Sequence, residues 1–157
     1  MGKVVSLAEL RKHISPCTAT LTGGFYDMLH VGHVFYLERA AKLGRPLIVV
    51  VNTDKAAMEK KGQLRPIIPE KFRARMVASL GCVDYVIISN HASYSDYFLK
   101  AIQPKHYVFV REKMDVRQKQ KKEIEKKYPR TKVVIIPRIK KYGSTTELIA
   151  RIKQEKL

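Results

Sequence analysis

The chain has 157 residues, 31 of them Lys or Arg against 14 Asp or Glu, for a formal net charge of +17; this length fits one domain around a single sizeable core. With 45% hydrophobic and 29% charged residues it reads as globular rather than disordered, and no apolar run approaches the ~20 residues a membrane helix needs. Cys17 and Cys82 offer neither a disulfide framework nor a metal spacing, and the first residues lack the apolar stretch of a secretory signal, so a cytoplasmic setting is expected.

Taken in order, Ser6-Leu7-Ala8-Glu9 has the form of a capping box, and Leu7, Leu10 and Ile14 mark one face of a leading helix within residues 1–17 that Pro16 ends. A buried strand is predicted at about 18–22, then a glycine turn and a helix to about 43, closed by Gly44. Pro46 to Val51 is an unbroken apolar run, the mark of a central parallel strand covered on both faces. Lys55 to Lys61 reads as a short helix. Another helix begins at Pro69-Glu70, with Phe72, Met76, Val77 and Leu80 inward. Strands follow at 83–88, 107–110 and 133–136, with a helical pattern from Tyr94 to Ile102. Residues 111–132 form a basic segment with few apolar anchors. Ser144 to Glu147 opens a final helix with Leu148, Ile149 and Ile152 inward.

Strand and helix alternate throughout. The fold expected is therefore α/β: one domain, residues 1–157, with a doubly wound parallel sheet of five strands, helices on both faces and right-handed crossovers.

The chemistry concentrates between Gly23 and His33. A strand, a turn and a helix start aim unpaired backbone N–H groups and the positive helix end at one point, a natural phosphate site. His30 and His33, three apart, are expected on one face of the first helical turn, able to point at one anion. Gly32 between them lets a ligand approach the backbone. A zinc site would require a third and often a fourth close ligand, and the sequence shows none nearby.

Gly24, Tyr26, Asp27, His30, Gly32 and His33 resemble the pattern G-x-F-D-x-x-H-x-G-H of the HxGH nucleotidyltransferase superfamily, with Tyr26 where phenylalanine is usual. Within it the chain looks most like the adenylyltransferase domain of ADP-heptose synthase. The likeness extends to Val51-Asn52-Thr53-Asp54, to Lys61-Gly62 with Arg65-Pro66, to Cys82-Val83-Asp84-Tyr85-Val86, and to Gly143-Ser144-Thr145-Thr146. It weakens at Val110 to Asp115, where relatives have a glycine-containing loop, and this puts the acceptor's identity in doubt. The resemblance implies a Rossmann-like fold and transfer of a nucleoside monophosphate from a triphosphate to a phosphorylated acceptor, with release of pyrophosphate.

Catalysis of that in-line displacement is positioning and charge stabilisation. The expected catalytic set is His30, His33 and Lys61. Gly23, Gly24, Phe25, Tyr26 and Gly32, with Ser144, Thr145 and Thr146 at a helix start, are expected on the nucleotide. Asn52, Asp54, Arg65, Arg73 and Arg111 are the candidates for substrate contacts. Asp27 is read as fixing the turn through backbone hydrogen bonds, and Asp54 stays open as a ligand for Mg²⁺, the expected cofactor.

The resemblance favours ATP, leaves CTP open, and implies a homodimer. Two alternatives stand beside it. One is a cytidylyltransferase acting on glycerol 3-phosphate or a phosphoamino-alcohol. The other is a non-catalytic nucleic-acid-binding protein, motivated by the +17 charge and the 111–132 segment, since such charge attracts every class of anion alike.

Overall fold

The computed structural model describes residues 1–111, 114–137 and 145–154. In chain order the elements are β1 (Lys3–Val4), α1 (Leu7–Leu10), β2 (Thr20–Gly24), α2 (Val31–Ala41), β3 (Leu47–Asn52), α3 (Asp54–Lys61) and α4 (Glu70–Ala78). They continue with β4 (Tyr85–Ser89), α5 (Asp96–Ile102), β5 (His106–Arg111), α6 (Met114–Lys127), β6 (Lys132–Pro137) and α7 (Thr145–Gln154). The described strands form one six-stranded sheet in the order β1-β4-β3-β2-β5-β6, and every pairing is parallel.

The doubly wound α/β expectation is met, with one strand more than predicted. β1 has only two residues, too few to show a period, and is placed by register against Tyr85 and Val86. Its neighbour Gly2 is held by a bond from its N–H to Ala78 O at 2.8 Å. A Cβ at Gly2 would fall 2.6 Å from Val83 O, so glycine is what lets the chain lie this close.

β3 shows why the sheet is buried on both sides. Leu47, Val49 and Val51 enter a core with Leu37 and Ala40 of α2 and Ala74 and Val77 of α4. Ile48 and Val50 enter a second core with Phe98, Leu99 and Ile102 of α5 and Ile124 of α6. Successive side chains alternate faces, so an apolar run without polar gaps requires helices on both.

Three expectations on helix faces are corrected. α1 is a single turn, capped by Ser6 Oγ accepting from Glu9 N at 3.1 Å, and Ile14 lies beyond it. In α4 the inward residues are Arg73, Ala74, Val77 and Ala78, while Phe72 is 65% exposed. The phase differs by one residue because an arginine, Arg73, occupies an inward position. In α7 no described residue is buried and Ile152 is 60% exposed, so its apolar stripe does not enter either core.

The sheet order also locates the site. From β2 the chain winds one way through β3 and β4, then crosses back to β5 and β6. The switch point therefore lies at the C-terminal ends of β2 and β5, where such sheets open a crevice.

Candidate active site

A cavity of about 570 Å³ occupies that crevice, within the range of small-ligand sites. The ends of three neighbouring strands line it: Gly23 and Gly24 of β2, Asn52 of β3, and residues 107–110 of β5. The signature turn, Lys60 and Lys61 of α3, Arg65, Arg117 of α6, and Thr145 and Thr146 of α7 complete the wall.

β2 runs to Gly24, so neither glycine forms the turn that follows. Gly23 is required by close approach: a Cβ there would sit 2.5 Å from Ser93 Oγ and 2.9 Å from Val50 O. The turn itself is made by Tyr26 and Met28, both with φ of 51°, a left-handed conformation that is uncommon for non-glycine residues and concentrates at functional sites. Tyr26 is 3% exposed, its ring 5.4 Å from that of His33. Its hydroxyl is buried without a hydrogen-bond partner among the described residues.

His30 is the N-cap of α2 rather than part of its first turn. Its Nδ1 accepts from Gly32 N at 3.1 Å, and His33 Nδ1 accepts from His30 N at a longer 3.4 Å. An accepting Nδ1 places the ring hydrogen of a neutral imidazole on Nε2. Both rings line the cavity, with centroids 4.0 Å apart. The backbone thus sets two N–H donors side by side at a helix start, the arrangement an anion needs.

Asp27 holds the turn, but through a distant segment rather than its own. Its carboxylate accepts from Ile67 N at 3.1 Å, Ile68 N at 3.0 Å and Arg65 Nε at 2.6 Å. Burial pushes its pKa upward; the Ile68 and Ile67 N–H groups and the Arg65 guanidinium outweigh this and hold it below 3.8. Arg65 reaches the cavity wall from this pairing, its side chain 19% exposed.

Arg73 is a correction. Expected at the substrate, it is completely buried and its donors are taken within the protein. Nε donates to Ile68 O at 2.8 Å, Nη2 to Asp54 Oδ1 at 2.6 Å, and Nη1 to Phe25 O. Neither Arg73 nor Asp54 lines the cavity. Together they tie the signature turn, the 65–69 loop and the start of α3 into one unit. Asp54 is engaged by that arginine through Oδ1.

Lys61 lines the cavity, its Nζ 5.7 Å from the Phe25 ring centroid. Thr145 Oγ1 donates to Asp27 O at 2.9 Å, so the start of α7 is brought against the signature turn, with Thr146 also on the wall. Ser144 lies outside the described residues. Arg111 ends β5, and its side chain lies outside them too.

On the β5 side of the cavity, sequence reasoning named only Arg111 and missed the residues before it. Tyr107 is buried and its hydroxyl pairs with Ser93 Oγ at 2.7 Å, while Tyr36 pairs with Thr22 Oγ1 at 2.6 Å and donates to Val108 O at 3.0 Å. Arg117 lies 4.5 Å over the Phe109 ring. The signal available was sheet order: a strand beside β2 must end at the same crevice. Arg117 stood in a basic segment without anchors, where helical phase was undetermined.

With this geometry, the comparison with known proteins has a definite form. The cytidylyltransferase-like family model matches residues 21–155. The chain belongs to the cytidylyltransferase-like family of nucleotidyltransferases. Among its relatives, bifunctional protein HldE of Helicobacter pylori is 44% identical over 86 residues, 55% of this chain and 19% of that protein. HldE of Citrifermentans bemidjiense is 44% identical over 85 residues, 54% of this chain and 18% of that one. The chain therefore spans about one fifth of the length of the curated relatives it matches.

Among solved structures, a lipopolysaccharide core biosynthesis protein from Thermoplasma volcanium is similar over 78% of this chain and 98% of its own. The identity is 28% and the TM-score 0.65. Pantothenate synthetase from Thermus thermophilus, at 16% identity and TM-score 0.61 over 86% of this chain and 61% of its own, shows the shared fold alone. For a cytidylyltransferase-like chain the placement of His30 and His33 at the β2–α2 junction is the pertinent feature. Among the described residues no helix is long and apolar enough to cross a membrane.

Proposed function

We propose that the chain transfers a nucleoside monophosphate, AMP from ATP, to a small phosphorylated acceptor such as a sugar phosphate and releases pyrophosphate. The observation that carries this reading is the convergence of two histidine donors, Lys61 and the α7 start on one cavity at the sheet's switch point. An oxygen of the acceptor phosphate attacks the α-phosphorus in line; the bond from that phosphorus to the bridging oxygen breaks, and pyrophosphate leaves with the electron pair. The acceptor oxygen is already anionic, so no strong general base is required.

The chain's own groups stabilise charge. Nε2–H of His30 and His33 donates to phosphate oxygens as their charge grows, and Lys61 neutralises the leaving side. Thr145 and Thr146 hold the triphosphate from α7. Mg²⁺, the expected cofactor, would be held mainly by the triphosphate oxygens and would supply charge neutralisation there; Asp27, on the cavity wall, already accepts three protein donors. The preference for ATP rests on the likeness to the ADP-heptose synthase domain, and so does the expected homodimer.

The nucleic-acid alternative gains no support from the basic segment. Part of α6's charge serves the fold: Lys121 Nζ donates to Val133 O at 2.9 Å, and Arg117 turns to Phe109.

Pyrophosphate release from ATP, CTP, GTP and UTP, each with a hexose 1-phosphate, a heptose 1-phosphate and glycerol 3-phosphate, tests the reading. Release that requires both ATP and a sugar phosphate is expected. Release with CTP alone among the nucleotides would overturn the adenylyl preference.

A further inference from the structure

A second cavity, about 510 Å³, opens beside the first at the ends of β3 and β4. The two adjoin along the chain. Asn52 lines the first and Thr53 the second; Ser93 and Tyr94 line the first, Ser89, Asn90 and His91 the second. The junction is firm, because Thr53 N donates to Ser89 O at 3.1 Å and His91 N to Ser89 Oγ at 3.0 Å.

The second cavity differs from the first in chemistry. The first gathers Lys60, Lys61, Arg65 and Arg117, a wall for a polyanion. In the second, Lys55 is matched by Glu70, whose carboxylate is fixed at the wall by accepting from Asp54 N at 2.6 Å. In a chain of net charge +17 a charge-balanced cavity is a local exception, and it is poorly suited to further phosphate. Its floor is aromatic: the His91 and Tyr97 rings stack with centroids 4.4 Å apart and planes 23° apart, and Tyr97 is 50% exposed.

Donors, acceptors and a flat aromatic face in one shallow cavity match a ring that carries hydroxyls on its edge and C–H groups on its face. Lys55 donates, Glu70 accepts, Asn90 and Thr53 do both, and the aromatic pair takes the apolar face. Resting on the transferase reading above, we propose that this cavity is the distal subsite of the acceptor: it binds the neutral, polyhydroxylated ring of a sugar phosphate whose phosphate group lies in the first cavity. The subsite makes the acceptor a ring sugar, since a three-carbon phosphate held in the first cavity has no ring to lay on Tyr97.

Tyr97→Ala is the test, because the side chain is half exposed and meets the core only at the edge of Phe98, 5.1 Å away; a melting curve checks that the variant folds. In steady-state pyrophosphate release, KM for a hexose 1-phosphate or heptose 1-phosphate should rise roughly tenfold, the effect of one lost aromatic face. KM for ATP should stay at the wild-type value. An unchanged KM for every sugar phosphate, or a shift in the ATP value instead, overturns the subsite while leaving the transferase reading intact. If the wild type releases no pyrophosphate with any pair, that reading fails, and saturation-transfer NMR with hexose 1-phosphate decides the subsite independently. Saturation of ring protons by the wild type that is lost in Tyr97→Ala supports it; no saturation by the wild type overturns it.

Discussion

The signature turn and the 65–73 segment meet at Asp27, both carry N–H donor side chains, and direct them in opposite ways. On the turn, His30 and His33 accept backbone N–H groups at Nδ1, which leaves the hydrogen on Nε2 of rings that line the cavity. In the other segment, Arg73 directs its guanidinium inward to Phe25 O, Ile68 O and Asp54. Arg65 stands between the two cases, paired with Asp27 and still on the cavity wall. One region lines the cavity with its rings; the other fixes the frame that carries them.

The largest expected effect comes from breaking the frame. Arg73→Leu leaves the Asp54 carboxylate and two carbonyls without their partner and should cost about 3–5 kcal/mol of stability, the range for half of a buried pair. Thermal unfolding measures it. Arg65→Leu should show mainly in kcat/KM, and a stability loss as large as that of Arg73→Leu would erase the distinction between the two arginines.

Asp27 sharpens the comparison through pH. Its folded pKa lies below 3.8, so its contribution to stability is complete above the unfolded value and is lost as pH falls through the folded one. Asp27→Asn should lower stability at neutral pH by about 1–3 kcal/mol, having lost charged hydrogen bonds. It should also flatten the acid limb of the melting profile below about pH 4. An acid limb identical to that of the wild type would contradict the assignment.

The smallest effect is expected at Tyr26. Its buried hydroxyl has no hydrogen-bond partner among the described residues, and Tyr26→Phe should leave the melting temperature unchanged or raise it, within about 0.5 kcal/mol. A clear loss of stability would show that the hydroxyl is held by a bond.

The parts legible in the sequence were those with a local period or motif. The run from Leu47 to Val51 announced a strand buried on both faces, and the histidine spacing announced two rings side by side on the cavity wall. Five features were not legible, each for a physical reason. β1 is too short for a pattern and exists through pairing with β4. The left-handed turn falls on Tyr26 and Met28, residues whose type does not ask for it. Arg73 lies in the inward phase of α4, and only its tertiary partners make that burial tolerable. The β5 wall and the second cavity follow from strand order, which a linear reading does not contain.

The central claim is that the paired histidines stabilise phosphate charge in the transfer step. Turnover of folded His33→Ala, measured as pyrophosphate release from ATP with a hexose or heptose 1-phosphate and accompanied by a melting curve, tests it most directly. A melting temperature close to that of the wild type with turnover lower by roughly 10²–10³ is the expected result, the loss of one preorganised donor. A folded His33→Ala protein turning over at the wild-type rate would contradict it.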